Sequence, residues 1–419
     1  MNLRIMQLLA VVVVLGGVGL APALAQTSGG STYSSLNIGD LQPSTSVAGQ
    51  GLAGVESAMP MPGNLNSLNP AGWADLRSVT LAAGMNFEQY QVSTATQSLY
   101  QNSTRLQGFS IGFPFSEAYG VTAAMLFRPY STVNYRSQLT QRVPLAGTDT
   151  AIATTTKQGS GGVSQAVIGS SFKPIEQLTI GAGVDWYFGA IESRSNVAFD
   201  NTGLNPATYL TSDQYRGVGG RFGVQVRPAE GLQLGATLQS GVTLSRTRLL
   251  INNYLDAAGQ VIDTTATDTA DLTVPQRLTV GASYRMGRST LGTEVSLQDW
   301  SSAAMPTATS ATRYGVAYQY AASESINAEG LDRWTFRVGA LYEDTYYLTS
   351  NGAITQLGFT LGVGFPLAAY NRLNANPAMD IALQFGTRGT TDNGLTREAF
   401  GKLSVELSLS ELWFVKVRR

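Results

Sequence analysis

The chain has 419 residues, of which only 13% are charged against roughly 25% in ordinary soluble domains, and its formal net charge is −1. It contains no cysteine and no histidine, which excludes disulfide frameworks, thiolate and imidazole metal sites, and Ser-His or Cys-His nucleophile pairs. A near-neutral balance gives no argument for nucleic-acid binding, no cofactor is implied, and no spacing of Asp and Glu marks an acid–base pair, so the chain reads as a non-enzyme.

Residues 1–25 have the form of a secretory signal. Arg4 precedes the apolar run Leu8 to Leu20, and Ala23-Leu24-Ala25 offers a small-residue cleavage site before Gln26. That run is shorter than the ~20 residues a spanning helix needs, and no later segment has 18 consecutive apolar residues. The expectation is an exported protein without membrane helices.

Residues 26–76 carry Gly39, Gly49, Gly51, Gly54 and Gly63 together with Pro43, Pro60, Pro62 and Pro70, which break any regular element. Yet Leu36, Ile38, Leu41, Val47, Leu52, Val55, Met59, Met61, Leu65 and Leu68 are too many apolar residues to leave in water. The segment needs a surface to pack on. It ends at the hinge Asn69-Pro70-Ala71-Gly72.

From Val79 onward the hydrophobic period is two. Leu178, Ile180, Ala182, Val184, Trp186 and Phe188 alternate with Thr179, Gly181, Gly183, Asp185 and Tyr187; Leu357, Phe359, Leu361, Val363 and Phe365 alternate with Gly358, Thr360, Gly362 and Gly364. The same separation recurs at 278–286, 334–340 and 403–409. One face is lipid-like and the other polar or small, which predicts an exterior aromatic set including Trp186, Tyr284 and Trp334. Such runs can be counted as fourteen strands between 79 and 412. Connections such as Ser116-Glu117-Ala118, Pro174-Ile175-Glu176, Pro228-Ala229-Glu230 and Gly287-Arg288-Ser289 are short, while 136–160 and 250–269 read as long polar loops. Short turns on one rim and long loops on the other predict an all-β fold, a transmembrane antiparallel barrel over 77–414 in the bacterial outer membrane, followed by a basic tail at 415–419. A barrel of that size exceeds the ~8 strands that side chains alone can fill, so residues 26–76 are expected inside it as a plug.

Asp185, Arg285, Glu294, Arg337 and Glu406 all fall on the polar parity and should face the lumen. Two readings are open for them: Arg285 or Arg337 as a bidentate partner for a ligand carboxylate, or the whole group as charges tying plug to wall.

With Ser46-Val47-Ala48-Gly49-Gln50-Gly51 early in the chain, Asn69-Pro70-Ala71-Gly72 before the first strand, Val274-Pro275-Gln276-Arg277-Leu278 with Gly281 and Tyr284, and Asp299-Trp300-Ser301, the sequence resembles the FadL-type outer-membrane transporters. The resemblance implies a fourteen-strand barrel closed by an N-terminal hatch, which passes long-chain fatty acids or similar hydrophobic molecules sideways into the membrane through a kinked strand. Pro129, which cannot donate to a ladder, is the candidate strand break: either it ends the spanning part of its strand or it marks that side opening. The C-terminal end departs from the family pattern. Leu412-Trp413-Phe414 is followed by Val415-Lys416-Val417-Arg418-Arg419, and this tail with Phe385-Gly386-Thr387-Arg388-Gly389 resembles divergent branches that include barrels serving protein secretion. The expected partners are outer-membrane lipid and a hydrophobic small molecule; the alternative is a docking barrel for exported proteins.

Overall fold

The architecture is that of a computed structural model, in which residues 27–42, 46–144, 150–200, 204–255, 261–303, 305–323, 325, 328–368 and 376–411 are described. The expected signal segment and the basic tail lie outside these residues.

The wall begins with β3 (Val79–Ser93), β4 (Ser98–Ser116), β5 (Val121–Pro129), β6 (Ser131–Pro144), β7 (Thr150–Ile175), β8 (Leu178–Phe199) and β9 (Ala207–Ala229). It continues with β10 (Leu232–Gln239), β11 (Val242–Leu255), β12 (Val261–Val274), β13 (Arg277–Met286), β14 (Ser289–Asp299) and β15 (Ser310–Tyr320), and ends with β16 (Thr335–Thr349), β17 (Gly352–Pro366), β18 (Asn376–Arg388) and β19 (Arg397–Glu411). Among the described residues ahead of the wall are β1 (Thr27–Ser28), β2 (Asp40–Leu41), the short helix α1 (Val47–Gly51) and 3-10 turns at Thr32–Ser35 and Pro70–Asp75.

Neighbouring wall strands run antiparallel, and β19 pairs with β3 from Glu411↔Val79 to Arg397↔Ser93, which closes the barrel. Three wall strands are each broken into two halves, β5 with β6 at Tyr130, β10 with β11 at Ser240-Gly241, and β12 with β13 at Pro275-Gln276. The closed sheet therefore has fourteen strands. It is an outer-membrane β-barrel, since every main-chain polar group at bilayer depth must be paired within a closed ladder.

The alternation seen in the sequence is the alternation of the wall. Along β8, Ala182, Val184, Trp186 and Phe188 are exposed while Thr179, Gly181, Asp185 and Tyr187 are buried. Along β17, Leu357, Phe359 and Leu361 are exposed and Thr360 is buried. Exposed leucine and phenylalanine at every second position is the inverse of a soluble sheet and forms the lipid-facing band. Phe127 stacks on Phe109 at 5.2 Å and approaches Phe188 at 6.0 Å, while Trp334, only half-exposed, stacks on Phe365 at 4.8 Å.

The connections differ from the expectation. Of the stretch 136–160, residues 136–144 and 150–160 are strand, because β6 and β7 pair from Val133↔Gly161 to Pro144↔Thr150, and of 250–269, residues 250–255 and 261–269 are likewise strand, with β11 and β12 paired from Val242↔Val274 to Leu255↔Val261. Nor does length alternate strictly between rims. Ser350-Asn351 alone joins β16 to β17 on the outer side, whereas 321–334 intervenes between β15 and β16 on the inner side. The protruding strands have no lipid to face, so neither face is required to be apolar and the period-two signal is lost; main-chain ladders hold them together.

The N-terminal segment packs against the inward face of this wall. Leu52, Val55 and Met59 cluster with Ala317; Leu65, Trp73 and Leu76 cluster with Ala124, Leu126 and Val167; Tyr33 and Ile38 join a larger outer cluster with Tyr130, Trp300, Tyr346 and Tyr347. Wall glycines let its backbone come close. A Cβ at Gly235 would stand 2.1 Å from the Ser57 carbonyl oxygen, and one at Gly181 would stand 2.4 Å from the Pro70 carbonyl carbon.

Candidate functional site

Period two decides which side a residue faces, and β-strand rise decides its height; both are needed to place the expected site residues. Asp185 on β8 is fully buried in the wall interior, where it accepts from Arg221 of β9 through both carboxylate oxygens, at 2.7 and 3.2 Å. The third arm of the same guanidinium, Nη1, donates to the Ser67 carbonyl at 3.0 Å. A wall ion pair thereby reaches into the N-terminal segment. Glu294 on β14 takes the backbone N–H groups of Glu56 at 2.9 Å and Ser57 at 2.7 Å on one oxygen. Glu406 on β19 accepts from the Val47 N–H at the start of α1, which Ser46 caps through its hydroxyl. Arg337 on β16 is held by Asp380 at 2.5 Å and Gln319 at 3.2 Å. Its fork is occupied within the wall and is not presented to a ligand.

Arg285 is different. It has the inward parity, but it sits one residue from the end of β13 beside the Gly287-Arg288 turn and is exposed. Parity gave its side, and the rim position removes it from the lumen; it neither reaches the N-terminal segment nor meets the other four.

The hinge motif is built into the wall. Asn69 caps a 3-10 turn with its side-chain oxygen on the Ala71 N–H at 3.0 Å, and its amide nitrogen donates to the carbonyls of Ser57 at 2.8 Å and Val224 at 3.2 Å. Pro70, at the first position of that turn, needs no donor there and lies against Gly181 and Gly223. Ala71 is fully buried, Gly72 is half-buried beside Asn66, and the indole N–H of Trp73 donates to the Asn66 carbonyl at 2.7 Å.

Residues not singled out in the sequence do as much. Glu56, fully buried, accepts from the Ser46 hydroxyl at 2.8 Å and the Ser67 hydroxyl at 2.7 Å, folding the segment on itself. Asp40 accepts from Arg388 at 2.6 Å and Tyr347 at 2.5 Å, and Glu398 accepts from the Ser31 hydroxyl at 2.8 Å and the Thr32 N–H at 2.6 Å. None of these had a spacing signal: Asp40 and Glu398 pair with residues hundreds of positions away, and the hydroxyl partners of Glu56 lie ten and eleven positions off in a segment without a regular period.

Pro129 is the last residue of β5, and the strand is interrupted at Tyr130 before β6 resumes. β4 pairs with β5 only from Phe109↔Phe127 inward, and beyond that point β6 keeps only β7 among the wall strands. The Tyr130 carbonyl is taken instead by Gln42 of the N-terminal segment, at 2.9 Å. Two voids of about 60 and 40 Å³ are lined mainly by polar side chains such as Gln50, Asn86, Arg105, Arg313, Glu343 and Gln298. No group of His, Cys, Asp and Glu among the described residues is arranged to hold a metal ion.

A closed fourteen-strand antiparallel barrel is the architecture of an outer-membrane barrel, the wall that the FadL resemblance implied. The family model BamG matches residues 5–419, and the chain belongs to the BamG family. A search of curated protein sequences finds no match. Among solved structures it is similar to a Pseudomonas aeruginosa FadL homologue, with 14% identity, 88% of this chain and 99% of that one covered, and a TM-score of 0.61. It is also similar to the Ralstonia pickettii toluene transporter TbuX, with 14% identity, coverage of 89% and 99%, and a TM-score of 0.59. The P. putida toluene transporter TodX matches at 12% identity, coverage of 91% and 100%, and a TM-score of 0.56. At these identities the likeness is one of fold.

Proposed function

We propose that this barrel passes hydrophobic small molecules from outside the cell into the outer membrane, with residues 26–76 as its plug and the interruption at Pro129–Tyr130 as the side exit. The observation that carries the reading is the interrupted wall: the β4–β5 ladder ends at Phe109↔Phe127, and outward of it β4 and β6 share no pairs and are bridged by the N-terminal segment instead. A barrel that only holds its shape has no use for such a break. Transfer of an acyl chain out of water supplies roughly 0.8 kcal/mol per methylene, so passage needs no other energy source once the route is open. Voids of about 60 and 40 Å³, each well below the ~300 Å³ of a small ligand pocket, support reading this lumen as a closed state. The structures of the toluene transporters TbuX and TodX support the reading by fold.

The filled, hydrogen-bonded lumen favours a second reading, a barrel that serves as a docking component for exported proteins and conducts nothing. Uptake decides between them. Vesicles holding the purified barrel should take up a labelled long-chain acid or toluene faster than empty vesicles, and Pro129→Thr, which restores an N–H to the ladder, should slow uptake in a correctly folded barrel. Uptake no faster than in empty vesicles would leave the docking reading.

A further inference from the structure

The outer halves of β4 and β6 do not pair with each other; between them stands the N-terminal stretch. Thr27 and Ser28 pair in parallel with Gln101 and Asn102 of β4. The Gly29 N–H donates to the Asn102 carbonyl at 3.2 Å, and the Gly30 N–H crosses to the Asn134 carbonyl of β6 at 2.8 Å. β2 then returns antiparallel onto β6, Asp40 opposite Thr132 and Leu41 opposite Ser131. The seam is filled by main chain. Among the described residues, which begin at Thr27, β1 pairs over two residues, against 19 in β4 and 14 in β6. Outward of the resident, β6 is exposed from Arg136 to Arg142.

An edge that is filled by main-chain hydrogen bonds accepts any strand of suitable width, and a longer strand gains more of the ladder than a two-residue one. We infer that the seam is a strand-accepting site: an extended polypeptide segment approaching from outside pairs antiparallel with β6 in place of Thr27–Gly30. Width sets the specificity. A Cβ at Gly30 would lie 3.0 Å from the Asn134 carbonyl oxygen, so the incoming segment needs glycine or another small residue there. Displacing Thr27–Gly30 leaves the rest of the N-terminal segment anchored, because Ser31 and Thr32 remain bound to Glu398 and Asp40 to Arg388. The site requires only the seam, and holds whether or not small molecules pass.

The same glycine provides the test. At Gly30 a Cβ would stand 3.4 Å from the Asn134 Cβ, close to the ~3.8 Å of a disulfide, and the chain has no other cysteine to interfere. The pair Gly30→Cys with Asn134→Cys, once oxidised, pins the resident in place. Gly30→Pro does the reverse by removing the N–H that reaches Asn134. The probe is a fluorescent nonapeptide with the sequence of residues 27–35, its control the same peptide with proline at its second and fourth positions. Fluorescence anisotropy with the full-length barrel should show binding several-fold tighter to Gly30→Pro than to the oxidised pair, restored to the parent level when the pair is reduced, and absent for the proline peptide. No binding to Gly30→Pro, or binding indifferent to the lock, overturns the inference.

Discussion

At the residue scale, the inner wall holds its charges by pairing them across neighbouring strands. Asp185 and Arg221 have side chains almost wholly removed from solvent. Removing one partner of such a pair strands the other, which typically costs about 3–5 kcal/mol, whereas replacing both by apolar residues of similar volume is close to neutral. Asp185→Leu should therefore lower barrel stability by roughly that amount, and Asp185→Leu with Arg221→Met should recover most of it. Recovery will be incomplete by about 1 kcal/mol, because the double variant also removes the donor to the Ser67 carbonyl. Denaturant titration in vesicles reads both. On the opposite face the logic inverts: Ala182 is exposed to lipid, and Ala182→Arg should cost roughly 2–4 kcal/mol in the same assay if the residue lies near midplane, while Ala182→Leu should cost little. A penalty equal for both would place Ala182 away from the hydrocarbon.

At the scale of elements, what the sequence could show was which way each side chain of a spanning strand points. Strands β8 and β17 were legible residue by residue, since lipid on one side and a packed lumen on the other impose a strict period of two. Three things were not legible. The outer extensions of β6, β7, β11 and β12 face water on both sides, so no face is required to be apolar and they resemble polar loops. Arg285 was placed in the lumen by parity alone, and parity carries no information about distance from the rim, where the residue is exposed. The buried partners Asp40, Arg388 and Glu398 depend on contacts that only the closed barrel creates. Glycine was the ambiguous signal: strand curvature and close approach both use it, and contact distances now separate the cases. Gly401 has nothing near it, whereas a Cβ at Gly235 would stand 2.1 Å from the Ser57 carbonyl oxygen. Gly235→Val should displace the 56–58 stretch without loss of the β10 ladder, visible as faster protease cleavage within residues 50–65. Gly401→Val, tested beside it, should leave the cleavage rate unchanged.

At the scale of the whole molecule, the wall and the N-terminal segment are separable in their bonding. Inward of Phe109↔Phe127 the ladder from β3 around to β19 closes on itself through wall strands alone, while outward of that point β1 and β2 bridge β4 and β6. The main wall ion pairs, Asp185 with Arg221 and Arg337 with Asp380, are strand to strand and survive without the segment. Glu294 and Glu406 would lose the N–H groups of residues 56, 57 and 47, but a vacated lumen fills with water that replaces those donors. A fourteen-strand barrel is too wide to be filled by its own side chains, and under the proposed function the segment is what fills it. Deleting residues 27–72 should accordingly yield a barrel that still folds, judged by heat-modifiable migration on a gel, and that conducts ions in planar bilayers where the parent is nearly silent. Folded protein with no more conductance than the parent would mean that the wall closes the pore unaided and that the segment is not its plug.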